Sequence, residues 1–171
     1  AGSLSCITVV TRNPSASASD PPRGIRIIGN RALYGLAGGA ARIFIYVHND
    51  WDVGNGRKPI FGVEIRGNRC SSPSATEYFT SFILISGSHG GMEDVRLFDN
   101  IGTVYLKDIS ATGFLQGGIS IHGGNVADDL INYVQLGGNR CDSNETVVDA
   151  NQTNLKIGDY VDNVRSVRPN T

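Results

Sequence analysis

Apolar and polar residues alternate along several short stretches of the chain, and the clearest of these run up to an asparagine. Aligned on Asn30, Asn68, Asn100, Asn139 and Asn163, the position three before holds Ile27, Ile65, Leu97, Leu136 and Tyr160. Five before stand Ile25, Val63, Val95, Val134 and Gly158, and between them Arg26, Glu64, Arg96, Gln135 and Asp159. Apolar, polar, apolar is the two-residue period of a strand with one buried face. Four copies fit in full, and the fifth has glycine where an apolar residue belongs. Further strands are expected over 41–47 (ARIFIYV), 81–86 (SFILIS), 103–109 (TVYLKDI), 118–123 (GISIHG) and 145–150 (ETVVDA). No segment gives a convincing helical stripe.

The asparagines are spaced by 38, 32, 39 and 24 residues. A constant strand signature at variable spacing predicts coils stacked about 4.8 Å apart, with buried Ile, Val and Leu columns and turns that bulge outward. Asparagine after each strand suits a bend, since it tolerates the left-handed region, and stacked asparagines can bond along the axis. The exposed column Arg26, Glu64, Arg96 places opposite charges on neighbouring coils.

VEIRGNRCSS, VRLFDN and YVQLGGNRCDS resemble the coils of right-handed parallel β-helices of the pectate-lyase-like class, over roughly residues 22 to 165. Within that class the long irregular turns look most like bacteriophage tailspikes. The resemblance implies an all-β single-stranded solenoid of four to five coils and a homotrimer packed along its axis. Residues 1–21 then read as an entry segment and 22–171 as the β-helix domain of this chain or of a longer protein.

Two strands break the alternation. With Ile43, Ile45 and Val47 inward, Phe44 and Tyr46 face out, and with Ile83 and Ile85 inward, Phe82 and Leu84 do. The expectation is one outward apolar patch, which marks an interface unless a loop covers it.

Composition narrows the functions. Fifteen basic residues balance sixteen acidic ones, and no Lys/Arg run occurs, which argues against a nucleic-acid partner. Glycine, at 22 of 171 residues, is about twice its usual share but follows no Gly-X-Y period, so it belongs to turns. No apolar run is long enough for a membrane-spanning helix. Cys6, Cys70 and Cys141 are scattered, with no CxxC or His/Cys cluster, so neither a metal nor another cofactor is expected. Cys70 and Cys141 follow equivalent asparagines two coils apart, too far for a disulfide, and are expected as free thiols in one column. The triplets at Asn144 and Asn151 match the glycosylation sequon, a pattern that arises often by chance.

Candidate chemistry lies in the loops. HNDWDVGNG, residues 48–56, holds His48, Asp50, Trp51 and Asp52 directly after a strand. An aromatic face stacks on sugar rings, and Asp50 with Asp52 has the residue types for two-carboxylate glycan chemistry. The alternative is a long turn capped by its Asp and Asn side chains. SHGGMEDVR, residues 88–96, adds His89, Glu93, Asp94 and Arg96 in a loop leading into a strand. Glu64, between Arg26 and Arg96, fits either an acidic-sugar or lyase role or a plain salt ladder. His122 is expected to face outward. Asp128 and Asp129 with Asn125 offer oxygen ligands for calcium, but no twelve-residue EF-hand loop surrounds them.

These readings, joined to the resemblance, imply binding and depolymerisation of a bacterial surface polysaccharide. Asp50, Asp52, Glu64, Glu93 and Asp94 are the candidate catalytic groups, and His48, Trp51, His89 and Arg96 the binding ones. The expected location is the virion tail, or the secreted fraction. A structural, trimerisation or adhesion module and a secreted polysaccharide lyase are the alternatives.

Overall fold

The computed structural model describes residues 4–12, 22–33, 42–50, 58–71, 81–104, 117–124, 129–143 and 153–167. Their strands, in chain order, are β1 (Leu4–Arg12), β2 (Arg23–Ile28), β3 (Arg31–Leu33), β4 (Arg42–Asp50), β5 (Ile60–Arg66), β6 (Arg69–Ser71) and β7 (Ser81–Ser86). β8 (Met92–Phe98), β9 (Ile101–Val104), β10 (Gly117–His122), β11 (Ile131–Gly137), β12 (Arg140–Ser143), β13 (Thr153–Ile157) and β14 (Arg165–Ser166) follow. The fold is all-β. Sheet A has the order β1-β4-β7-β10-β13, sheet B β14-β11-β8-β5-β2 and sheet C β12-β9-β6-β3. The chain therefore visits A, B and C in turn and starts again, and each strand pairs in parallel with its counterpart on the neighbouring circuit.

The register in sheet B matches the asparagine alignment over four circuits. Ile25, Val63, Val95 and Val134 lie side by side, as do Ile27, Ile65, Leu97 and Leu136. Val63, Ile65, Val95, Leu97, Val134 and Leu136 are almost completely buried. The fifth copy does not continue this register, because Arg165, not Asp159, lies beside Gln135. Asn163 bonds instead to Asn132, Nδ2 to Oδ1, at 2.7 Å.

At the corner after sheet B each asparagine side chain is inserted between circuits. The Asn100 Oδ1 accepts from the Asn68 backbone N–H at 3.1 Å and from its Nδ2 at 2.9 Å. The Asn100 Nδ2 donates to the Ile65 carbonyl at 2.9 Å and to the Asn139 Oδ1 at 2.8 Å. Asn30 and Asn68 repeat the pattern one circuit earlier. A carboxamide supplies the two donors and one acceptor that this spacing needs, whereas aspartate has no donor and would stack like charges. The left-handed bend expected at the asparagine falls one residue earlier, on Gly29, Gly67, Asp99 and Gly138. This frees the asparagine to turn inward and fill the corner.

A second left-handed column crosses sheet B at Gly24, Gly62, Asp94, Tyr133 and Asn163. It resets the alternation, so that Ile60, Met92 and Ile131 are buried three residues before Val63, Val95 and Val134. Glu93 and Asp94 consequently lie within β8 and not in a loop before it.

Sheet A departs from the expected pattern in two ways. Phe44 and Phe82 do not face out: their rings stack 5.5 Å apart within the core, and a Cβ on Gly102 of sheet C would lie 2.9 Å from the Phe82 ring. Strict alternation fails because Phe44 and Ile45, and likewise Phe82 and Ile83, are neighbours that both join the core. Leu84, outward between Ile83 and Ile85, is 1% exposed and Tyr46 is half-buried, so these four positions form no open apolar patch. The fifth strand of sheet A is β13, while 145–150 lies outside the described residues, as does 105–109 of the stretch expected to follow β9. The span 1–21 holds β1, which pairs with β4.

In sheet C, Ala32, Cys70, Gly102 and Cys141 form one column. Cys70 and Cys141 are buried thiols outside any disulfide, as expected, and Cys6 is an exposed thiol, also outside any disulfide. Burial, helped by Cys6 and Cys141 nearby, pushes the Cys70 thiol up to about 12.

Candidate functional site

The last residues of β4 alternate about the sheet. Val47 and Asn49 turn in, and His48 and Asp50 turn out. Asn49 is fully buried and ties three segments together. Its Oδ1 accepts from the Thr11 hydroxyl at 2.8 Å, and its Nδ2 donates to the carbonyls of Lys58 at 3.0 Å and Gly91 at 2.7 Å. Its own carbonyl accepts the His89 backbone N–H at 3.1 Å.

The turn after β7 brings His89 to this place. Gly87 to Gly91 closes on itself, the Gly91 N–H donating to the Gly87 carbonyl at 3.0 Å. The Gly90 N–H donates to the Asp129 carboxylate at 3.1 Å. Gly90 has φ +141°, and a Cβ there would lie 2.7 Å from the Lys58 carbonyl oxygen. Only glycine gives both the backbone angle and the close approach.

The result is a cluster on the outer edge of sheet A. One ligand-type atom each from His48, Asp50 and His89 lies within 4.8 Å of the other two. The His89 Nδ1 is 2.9 Å from the Asp50 Oδ1. The Nδ1 atom is shut off from solvent, yet its approach to Asp50 lacks the angles of a hydrogen bond. The Ser88 hydroxyl lies 3.3 Å from the His48 Nδ1, and the Ser86 hydroxyl donates to Ser88 at 3.3 Å. Tyr46, two residues back on the same face, places its ring 5.5 Å from that of His48. Burial, and then the Asp50 charge, raise the Tyr46 phenol above its ordinary value, so it stays a neutral hydroxyl.

Of the residues singled out from sequence, the fold unites His48 and Asp50, which lie at the end of β4 and not in a loop after it, with His89 from the turn after β7. Trp51 and Asp52 lie outside the described residues, as do Asn125 and Asp128. Glu64 and Arg96 stand side by side on sheet B. Glu64 is engaged by Arg26 at 3.0 Å, and Asp94 by Arg96 at 2.7 Å. These are surface ion pairs of small energetic weight, and they occupy both carboxylates. Asp129 is buried and caps the Gly90 turn.

His122 pairs with Ser86 on the next strand, and its Nδ1 lies 2.8 Å from the Gly123 carbonyl. Its side-chain Nε2 is shielded and unpartnered. Burial lowers its pKa, partly offset by the Gly123 hydrogen bond.

The sequence places Tyr46 outward but in an apolar patch and not in this cluster, and it does not single out Asn49, Ser86 or Ser88. A signal for them exists: Phe44-Ile45-x-Val47 recurs as Phe82-Ile83-x-Ile85, at the same 38-residue offset as Asn30 to Asn68. That alignment pairs His48 with Ser86 and carries the chain two and three residues further to Ser88 and His89.

No protein-family model, curated protein or solved structure matches the chain.

Proposed function

We propose that the three sheets wind as a right-handed parallel β-helix of the tailspike kind, which binds and depolymerises a bacterial surface polysaccharide. The regular A, B, C succession of parallel strands supports the winding. The observation that carries the function is the outward cluster of Tyr46, His48, Asp50 and His89 at the end of β4 and the turn after β7. Aromatic and imidazole faces offer surfaces for sugar rings, and the serine hydroxyls and Asp50 offer partners for sugar hydroxyls. The Asp50–His89 pair is the proton-transfer group of the cluster, suited to hydrolysis or elimination. In this reading the chains assemble as trimers on a virion tail, and Glu64, Glu93, Asp94 and Arg96 are wall residues.

The test is incubation with a panel of capsular and O-antigen polysaccharides. Binding and chain shortening by the native protein are expected, with shortening lost at least ~10-fold in Asp50→Asn. Absence of both binding and shortening across the panel sinks the proposal.

A second reading, a non-enzymatic adhesion or trimerisation module, is favoured by the engagement of Glu64 and Asp94 by arginines. Binding without shortening, unchanged in Asp50→Asn, would select it.

A further inference from the structure

We propose that His48, Asp50 and His89 bind a divalent first-row transition ion of the zinc type. Two imidazoles and one carboxylate form a borderline N,N,O set, which suits zinc, cobalt or nickel and not the all-oxygen preference of calcium or magnesium. Three protein ligands leave a fourth position for water.

The geometry fits. Bonds of about 2.0–2.1 Å in a tetrahedral site place ligand atoms roughly 3.3 Å apart. Here one pair is at 2.9 Å and all three atoms fall within 4.8 Å.

A second observation points the same way. The His89 Nδ1 is buried, and although it sits 2.9 Å from the Asp50 oxygen it makes no hydrogen bond. An ion held between this shielded nitrogen and the carboxylate would give the nitrogen's lone pair a ligand role.

The site is also held in place before any ion arrives. Asn49 separates His48 from Asp50 and is fully buried. Its carbonyl anchors the His89 N–H, and its amide anchors Lys58 and Gly91. All three ligands thus hang from one buried knot, and the Ser88 contact fixes the His48 ring. No spacing motif announces the site, because the ligands come from adjacent circuits and not from one local run.

The proposal does not rest on the polysaccharide reading, since ion binding depends on these three side chains alone. With the ion bound, Asp50 and His89 act as ligands, and ion-bound water becomes the available base near neutral pH.

The test uses the full chain, stripped with chelator and titrated with cobalt(II), read by its visible d–d bands, and with zinc by calorimetry. One equivalent is expected to bind, with affinity at least ~10-fold weaker in His48→Ala, Asp50→Asn and His89→Gln. Circular dichroism should stay unchanged, and Asp94→Asn should bind like the native chain. Failure of the native protein to bind either ion overturns the proposal, as does binding that survives His89→Gln and Asp50→Asn. Should one variant misfold, the other decides. Polysaccharide binding that persists in chelator, alongside no cobalt spectrum, would defeat the ion site and leave the functional reading standing.

Discussion

The asparagine corner and the outer edge of sheet A are both built from turn residues, yet they end in opposite states. At the corner, the amides of Asn68 and Asn100 use donors and acceptor alike, each bond repeated from circuit to circuit. At the edge, Asn49 is equally satisfied, but the side chains it carries outward are not repeated and leave the His89 Nδ1 unbonded. The corner is chemically closed and the edge is chemically open. Repetition in this chain marks the frame, and departure from repetition marks the candidate site.

The largest test of that contrast is Asn100→Ala. Its side chain accepts two hydrogen bonds and donates two, and truncation leaves the Ile65 carbonyl and the Asn68 N–H without these partners inside the protein. At ~1 kcal/mol per bond plus the cost of the orphaned groups, a loss of about 3 kcal/mol or more is expected in denaturant unfolding. A loss below ~1 kcal/mol would show that the ladder is not a main support of the frame.

A smaller effect concerns pH. His122 has its pKa lowered from 6.5, first by burial, against the pull of the Gly123 carbonyl. Above 6.5 the ring is neutral in both folded and unfolded chains and contributes no pH dependence. As pH falls from 6.5 towards the lower folded value, the unfolded chain takes up the proton first, and stability declines. In His122→Gln the unfolding midpoint should vary less over that interval, and an identical pH profile would remove His122 from the account.

The smallest effect should fall on the open edge. Asp50→Asn and His89→Gln replace partly exposed groups, with side-chain exposures of 31% and 43%, whose pairing is not a hydrogen bond. Their thermal midpoints should stay within the equivalent of about 0.5 kcal/mol of the native chain. A drop comparable to that of Asn100→Ala would mean that the cluster belongs to the frame after all.

The sequence by itself determined the four-circuit register of sheet B, the asparagine column and the absence of a disulfide between Cys70 and Cys141. Those features repeat, and a strand with one buried face writes its period directly into the residues. Only the tertiary structure decided where the period slips. Left-handed residues at Gly62, Asp94 and Tyr133 reset sheet B, and Phe82 turns inward where Gly102, far along the chain, leaves room for its ring, with Phe44 stacked on it. The last copy, whose glycine already breaks the pattern, departs from the register because Asn163 resembles its predecessors locally but bonds to Asn132. The meeting of His89 with His48 and Asp50 was equally out of reach of local pattern. It depends on the pairing of β4 with β7 and on a glycine turn whose shape is set by the Lys58 carbonyl and the buried Asp129. Periodicity encodes neighbours along a strand, while proximity between turns is fixed only when the strands that carry them are stacked.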